Sequence, residues 1–429
     1  MKRLMTSAAV LAGLVAANAA ATGQAQAETI FLSTQLRPIE EASAVRNDIL
    51  KGVDAPVDYV VEEPPQFAVR MKAETEAGKR TISLVGALHG ELEPVFEAGD
   101  LIPLDDLAAS LADAGIAPDL LALGKYGTEH QQYLPWMQAT YVMAANKQAL
   151  QYLPEGAKLE TLTYDQLIAW GKAMEEATGQ RRIGFPAGPT GLMARFFEGY
   201  FYPSYTTGVV RTFKSEKAVA AWEKFKDLWA VVTPNSTSYN FMQEPLLSEQ
   251  VWVAWDHVAR LKGAISQRPD DFVVFPAPAG PEGRGYMPVV AGLAIPKDAP
   301  DVEGAKTVIR HLLKPETQVV TAQTVGFFPV ESVDLPDDLE PGVAAIATAV
   351  QQTQSAPDAL VSLLPVGLGD RGGEFNKVFM DAFQLIVLRG KPVEAVLEQQ
   401  AGKLSALMEE TKAPCWAPDA PSEGACPVE

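Results

Sequence analysis

The chain has 429 residues, 47% of them hydrophobic, with 35 lysines and arginines against 54 aspartates and glutamates. That length allows two or three domains with a large buried core, and seven tryptophans at ordinary charge density exclude a disordered or fibrous chain. A net charge of −19 does not suit wrapping a phosphate backbone, so nucleic acid is not an expected partner.

The amino terminus carries an export signal. Lys2 and Arg3 precede a small-residue apolar run from Leu4 to Ala21, and Ala25-Gln26-Ala27 offers the small-x-small pattern that a signal peptidase accepts. Residues 1–27 are therefore expected to be a signal peptide, cleaved after Ala27. The competing reading, an uncleaved membrane anchor, needs a longer apolar core than this alanine-rich one. No cysteine follows the cleavage site, so a lipid anchor is not expected, and no later stretch reaches the length of a membrane span.

Strand-like and helix-like segments then alternate. Thr29 to Leu36 is β-rich, and Pro38 to Leu50 has helical spacing through Ile39, Ala42, Val45 and Ile49. Val57 to Val61 is β-like, Pro65 to Gly78 helical, Thr81 to Val85 a third strand and Glu91 to Ala98 a short helix. Such repetition predicts an α/β fold with parallel strands and right-handed crossovers, its ligands lying beyond the carboxyl ends of the strands. Those ends carry Gln35 and Arg37, Glu62 and Glu63, and Gly86 to His89.

A second α/β region follows Asn146. Thr163-Tyr-Asp-Gln166 reads as a capping box opening a helix whose face is Leu167, Trp170 and Met174. Ser215 caps a further helix with Ala218, Trp222, Phe225 and Trp229 on one face, which makes these tryptophans core residues. Gln250 to Trp255 reads as a strand buried on both faces, ending in Asp256-His257. The Pro/Gly stretch from Phe275 to Gly285 is the clearest linker and boundary candidate. Pro288 to Pro296 then reads as a strand, Asp301 to Leu313 as a helix, Gly326 to Pro329 as a turn, and the last third as mostly helical.

Cys415 and Cys426 lie in a Pro-rich tail that cannot be helical. A disulfide there closes a loop of about ten residues and contributes about 2–3 kcal/mol. The alternative, a metal or redox pair, lacks CxxC spacing and nearby histidines.

Catalytic signatures are missing: there is no GxSxG, HExxH or P-loop. Gly367 to Gly372 matches GxGxxG but follows Pro365 without a βαβ context, so it reads as a flexible loop before a helix. His311 sits inside a helical stretch and reads as structural, and Glu62 and Glu63, adjacent along an extended segment, face opposite ways and cannot flank one bond. What remains near the expected cleft is flat faces from Trp136, Trp255, Tyr133 and Phe327. Arg37, Glu62, Gln138, Asp256, His257 and Arg260 add donors and acceptors. Stacking faces with polar rims suit sugars.

The chain also resembles a family. Gly99 to Leu107 (GDLIPLDDL), Pro135 to Lys147 (PWMQATYVMAANK), Ala291 to Lys297 (AGLAIPK), Pro315 to Gln318 with Val325 to Pro329, and Gly390 to Leu397 (GKPVEAVL) are similar, in order, to stretches of family 1 extracellular solute-binding proteins. These are the maltose-binding-protein-like receptors of bacterial ABC importers. The resemblance implies a two-lobed periplasmic-binding-protein fold, with parallel-rich sheets flanked by helices and interdomain hinge crossings. It implies an N-terminal lobe of 28–139 with 287–330, a C-terminal lobe of 140–286 with 331–412, and a 413–429 tail. Matching positions imply ligand contacts at Gln35, Arg37, Glu62, His89, Trp136, Gln138, Trp255, Asp256, His257, Arg260, Gly292 and Phe327. The chain departs from the pattern at Phe375-Asn-Lys377, where sugar receptors often place a tryptophan, and at Met137-Gln138, which lacks an acidic residue.

The expectation is a monomeric periplasmic receptor without cofactor, metal or catalytic step, passing a carbohydrate or polyol to the permease subunits of an ABC importer. The alternatives are a receptor for a polyamine, betaine or other charged solute, and an exported carbohydrate-active enzyme.

Overall fold

The computed structural model describes residues 28–36, 39–330, 335–336 and 338–429. The expected signal peptide and Arg37 lie outside the described residues.

The chain folds around two main sheets. β1 (Thr29–Ser33), β2 (Val57–Val61), β3 (Leu84–Leu88), β4 (Leu134–Ala139) and β10 (Val289–Ala294) form the first, in the order β2-β1-β3-β10-β4. β5 (Tyr141–Asn146), β6 (Ile183–Gly184), β7 (Val253–His257) and β8 (Phe272–Phe275) form the second, in the order β6-β7-β5-β8. A short parallel pair joins β9 (Arg284–Tyr286) to β11 (Ala359–Val361). β1, β2 and β3 pair in parallel, as helical crossovers require, whereas β10 joins β3 and β4 antiparallel. The second sheet is mixed likewise: β6 and β7 are parallel, and β5 is antiparallel to β7 and β8. The sheets are thus less parallel-rich than the α/β alternation suggests, because strands returning from the opposite lobe enter against the local direction.

Local chemistry explains most elements. Gln166 N–H donates to Thr163 Oγ1 at 3.2 Å while Thr163 N–H donates to Gln166 Oε1 at 3.0 Å, closing the capping box of the helix Tyr164–Thr178. Ser215 caps Glu216–Ala230 through the Ala218 N–H, and Trp170 and Trp222 are fully buried beneath these helices. Trp229 sits half-buried at the rim, its ring edge-on to Phe383 with centroids 4.8 Å apart. His311 is buried, its Nε2 2.8 Å from the Ile49 carbonyl.

Two expectations need correction. The third strand runs to Leu88 rather than stopping at Val85, because Gly86 continues it: the Phe31 ring lies where a Gly86 Cβ would stand, 2.7 Å from that position. The Phe275–Gly285 stretch is not a linker. Ala277 and Ala279 are buried, Ala279 exchanges backbone hydrogen bonds with Leu162 and Tyr164, and the Arg284 guanidinium donates to the Ala277 carbonyl. These contacts stitch the stretch into the second lobe, and the chain returns to the first at Met287-Pro288, between β9 and β10.

Three described segments meet beside the two sheets: Thr140 between β4 and β5, Met287-Pro288 before β10, and the stretch from Phe327 to Pro329. Thr140 Oγ1 donates to the Met287 carbonyl at 2.9 Å and lies 2.8 Å from Tyr200 Oη. Gln138 and Phe328 exchange backbone hydrogen bonds of 3.0 and 2.6 Å, and Gln138 Nε2 donates to the Pro329 carbonyl at 2.8 Å. Among the described residues no helix is long and apolar enough to cross a membrane.

Gly292, one of the expected ligand contacts, lies in β10 beneath the Tyr133 ring, whose nearest atom stands 2.3 Å from where a Cβ would be. Gly292→Ala should overpack this site and lower stability by about 1–3 kcal/mol in urea unfolding monitored by tryptophan fluorescence.

Candidate functional site

A cavity of about 980 Å³ opens between the lobes. One wall is the helix Pro64–Ala77, which contributes Pro64, Pro65 and Val69, together with the first turns of His89–Glu97, which contribute Gly90, Glu91 and Glu93. The facing wall is Arg195 and the segment from Leu364 to Asn376, including the first turn of the helix Gly372–Phe383. Among the described residues no aromatic ring lines it; its apolar surface is proline, valine, leucine, alanine and methionine.

Charged groups are fixed along both walls. Glu91 Oε2 accepts from Thr34 Oγ1 at 2.6 Å and from the Leu88 N–H at 3.0 Å, which ties the end of β3 to the helix it starts. Glu93 Oε1 accepts the Gly367 N–H from the opposite lobe. Arg195 pairs with Glu198 Oε2 at 2.8 Å, leaving the other oxygen of Glu198 buried and unpaired.

Toward the hinge, Arg260 lies over the Phe241 ring at 4.3 Å and donates to the Asn240 carbonyl at 3.0 Å. Its charge reaches Glu41 of the first lobe, whose Oε1 is buried without a partner. Burial raises Glu41 to about 8, Glu93 and Glu198 to about 7 and Asp256 to about 6; Arg260 only partly offsets the effect at Glu41 and Asp256, as Arg195 does at Glu198. Burial lowers His89 to about 4 and His257 to about 3.

The structure brings only some of the expected residues together. Asp256, His257, Arg260 and Phe327 meet at the hinge end, where the His257 and Phe327 rings lie 5.4 Å apart. Gln35 stands at the end of β1, its carbonyl accepting from Tyr59 Oη at 3.2 Å. Asp256 is fully buried and accepts the Met242 and His257 N–H groups, and His257 Nδ1 caps the next helix through the Ala259 N–H. Gln138 belongs to the hinge.

Others are placed differently. Trp136 and Trp255 are fully buried; Trp255 stacks on Tyr141 at 4.8 Å, so neither tryptophan offers a stacking face. His89 lies 2.8 Å from Tyr133 Oη and stacks on Tyr126, and Glu62 pairs with Arg70 at 2.9 Å. Aromatic residues on buried strands were drawn inward because burying such rings is the largest apolar gain available to them.

Sequence reasoning missed Glu41, Glu91, Glu93, Arg195 and Asn376. Glu91, three residues past the end of β3, was the readable signal. The loop from Gly367 to Gly372 bore another: Gly367 and Gly369 adopt φ of 73° and 56°, which glycine favours, and the loop lines the cleft.

Residues 44–319 match the family model of bacterial extracellular solute-binding proteins. The chain belongs to that family. A search of curated proteins returns no match. Among solved structures, the GacH receptor of Streptomyces glaucescens, studied unliganded and with acarbose, is 15% identical, with a TM-score of 0.70 over 89% of this chain and 98% of its own. Maltose-bound MalE3 of T. maritima is 16% identical, at a TM-score of 0.68 over 89% and 100%. UgpB of Mycobacterium tuberculosis, in complex with glycerophosphocholine, is 17% identical, at 0.70 over 90% and 99%. At these identities the likeness establishes the two-lobed fold of this solute-binding protein.

Three expected outcomes follow from its core and its buried charges. Trp255→Ala should cost about 3–5 kcal/mol in urea unfolding, the penalty of a core truncation. The raised carboxyls bind protons more tightly folded than unfolded, so their stabilisation is complete below the ordinary value of 4.5 and is lost as pH rises through about 6 to 8. His89 and His257, lowered when folded, act oppositely but only below about 6.5. The melting temperature should therefore fall as pH rises from about 4.5 to about 8, with no opposing contribution from the histidines above about 6.5. Glu41→Gln should flatten that fall and add about 1–3 kcal/mol at its upper end.

Proposed function

We propose that this solute-binding protein is a periplasmic receptor, exported by its amino-terminal signal, that captures a carbohydrate or polyol between its lobes and delivers it to the permease of an ABC importer. The observation that carries this reading is the cavity of about 980 Å³, walled by both lobes rather than cut into one. We take the lobes to be 28–139 with 287–330 and 140–286 with 331–412, with the three crossings as the hinge. A solute touching both walls favours the state in which they meet, and that preference drives closure. The protein acts as a monomer, takes no cofactor and leaves its solute chemically unchanged. The acarbose and maltose bound by the structures of like fold support the carbohydrate class.

In this cleft a sugar is held by hydrogen bonds to Glu91, Arg195 and Asn376, since no aromatic platform lines the cavity. That same lining favours a second reading, a cationic or zwitterionic solute such as a polyamine or betaine, because carboxylates outnumber basic groups along it.

A thermal-shift screen with maltose, maltotriose, sorbitol, glycine betaine and putrescine separates the two. A sugar or polyol at one hundred times its dissociation constant should stabilise the protein by about 2.7 kcal/mol, and Arg195→Ala should abolish that gain. Stabilisation by betaine or putrescine alone would replace the carbohydrate reading with the second.

A further inference from the structure

The Pro-rich tail, which the receptor reading leaves without a role, backs the moving wall of the cleft. Its irregular chain is nonetheless buried at Ala413, Cys415, Trp416, Asp419 and Cys426, and a disulfide joins Cys415 to Cys426. The tail grips the cavity-lining segment at three points. Leu363 N–H donates to the Ala417 carbonyl at 2.9 Å, just before that segment. The Trp416 ring packs edge-on to Phe375, on the first turn of the helix Gly372–Phe383, with centroids 5.3 Å apart. Between these, Gly367 lies so close that a Cβ there would stand 2.9 Å from Ala413 Cα.

The tail is itself anchored away from the cleft. Asp419 Oδ2 accepts the Val209 and Val210 N–H groups at 2.9 and 2.8 Å, and Oδ1 accepts that of Arg211 at 3.1 Å. Glu429 then exchanges backbone hydrogen bonds with Arg211 and Lys214.

Gly367, pressed from behind by the tail, is the residue whose N–H reaches Glu93 in the other lobe. A glycine loop at positive φ has little stiffness of its own, so its amide can meet a fixed carboxylate only if something holds the loop. We propose that the disulfide-closed tail is a strut for lobe closure, with Trp416 and Asp419 as positioning residues that hold the Gly367 N–H where Glu93 receives it.

The purpose of the strut rests on the receptor reading, but its mechanics do not. Hydrogen–deuterium exchange on the full chain without solute tests it, so a failed solute screen leaves it standing, and its own failure leaves the receptor reading standing. Asp419→Asn and Trp416→Ala should each speed exchange across residues 363–373 at least tenfold while β3 and β5 keep native protection. Trp416→Phe, which retains an aromatic edge against Phe375, should restore native rates. Glu93→Ala should speed exchange at Gly367 in the native background and add nothing in Trp416→Ala, a coupling that a merely stabilising tail would not produce. Native exchange at 363–373 with a loosened 413–429 would overturn the proposal, as would additive effects of Glu93→Ala and Trp416→Ala. Should Trp416→Ala lose protection throughout, Asp419→Asn and the Trp416→Phe pair decide by the same criteria.

Discussion

The rest of the structure depends on the contacts that tie its two main sheets together. Thr140 bonds across to the Met287 carbonyl and Gln138 pairs its backbone with Phe328, so the three passages are laced to one another. The lacing also explains why β10 and β5 run antiparallel to their neighbours, since each is a strand delivered from the opposite lobe. Around that joint the buried residues of both sheets run together into one core, and the cavity lies beside it.

The walls of that space balance charge against burial. Glu91 and Glu93, which line it, face Arg195 and the Gly367 amide, and Glu41, outside the lining, faces Arg260. Desolvation dominates at each of the three, raising the carboxyl above its ordinary range. Such groups are costly to leave half-satisfied, and Glu41 Oε1 and Glu198 Oε1 are unpaired. Among the described residues, polar side chains near helix starts line this cavity, whereas the rings that the sequence places on its strands do not.

How far the chain could be read in advance differs by element. The capping box at Thr163, the Ser215 cap and the helical stripes beneath them appear where spacing places them, because these contacts lie within a few residues of each other. The strand ends at Gln35 and Glu62 were rightly located in the chain, yet Glu62 turned to Arg70 and Trp255 to Tyr141. Proline and glycine misled twice, at Phe275–Gly285 and at Gly86, since both residues break regular structure in isolation but are recruited where a neighbouring segment packs closely.

The amino-acid order by itself determined the α/β alternation, the helix caps, the tail that no helix can include and the solute-binding family. All of these are written in local periodicity and in motifs of a few residues. Only the tertiary structure decided which charges line the cleft and what holds its wall. Glu93 and Gly367 are 274 positions apart, and Asp419 and Val209 are 210. Whether a carboxyl faces solvent, a guanidinium or a backbone amide is set by which distant segments pack together, and side-chain period within one element carries no record of that.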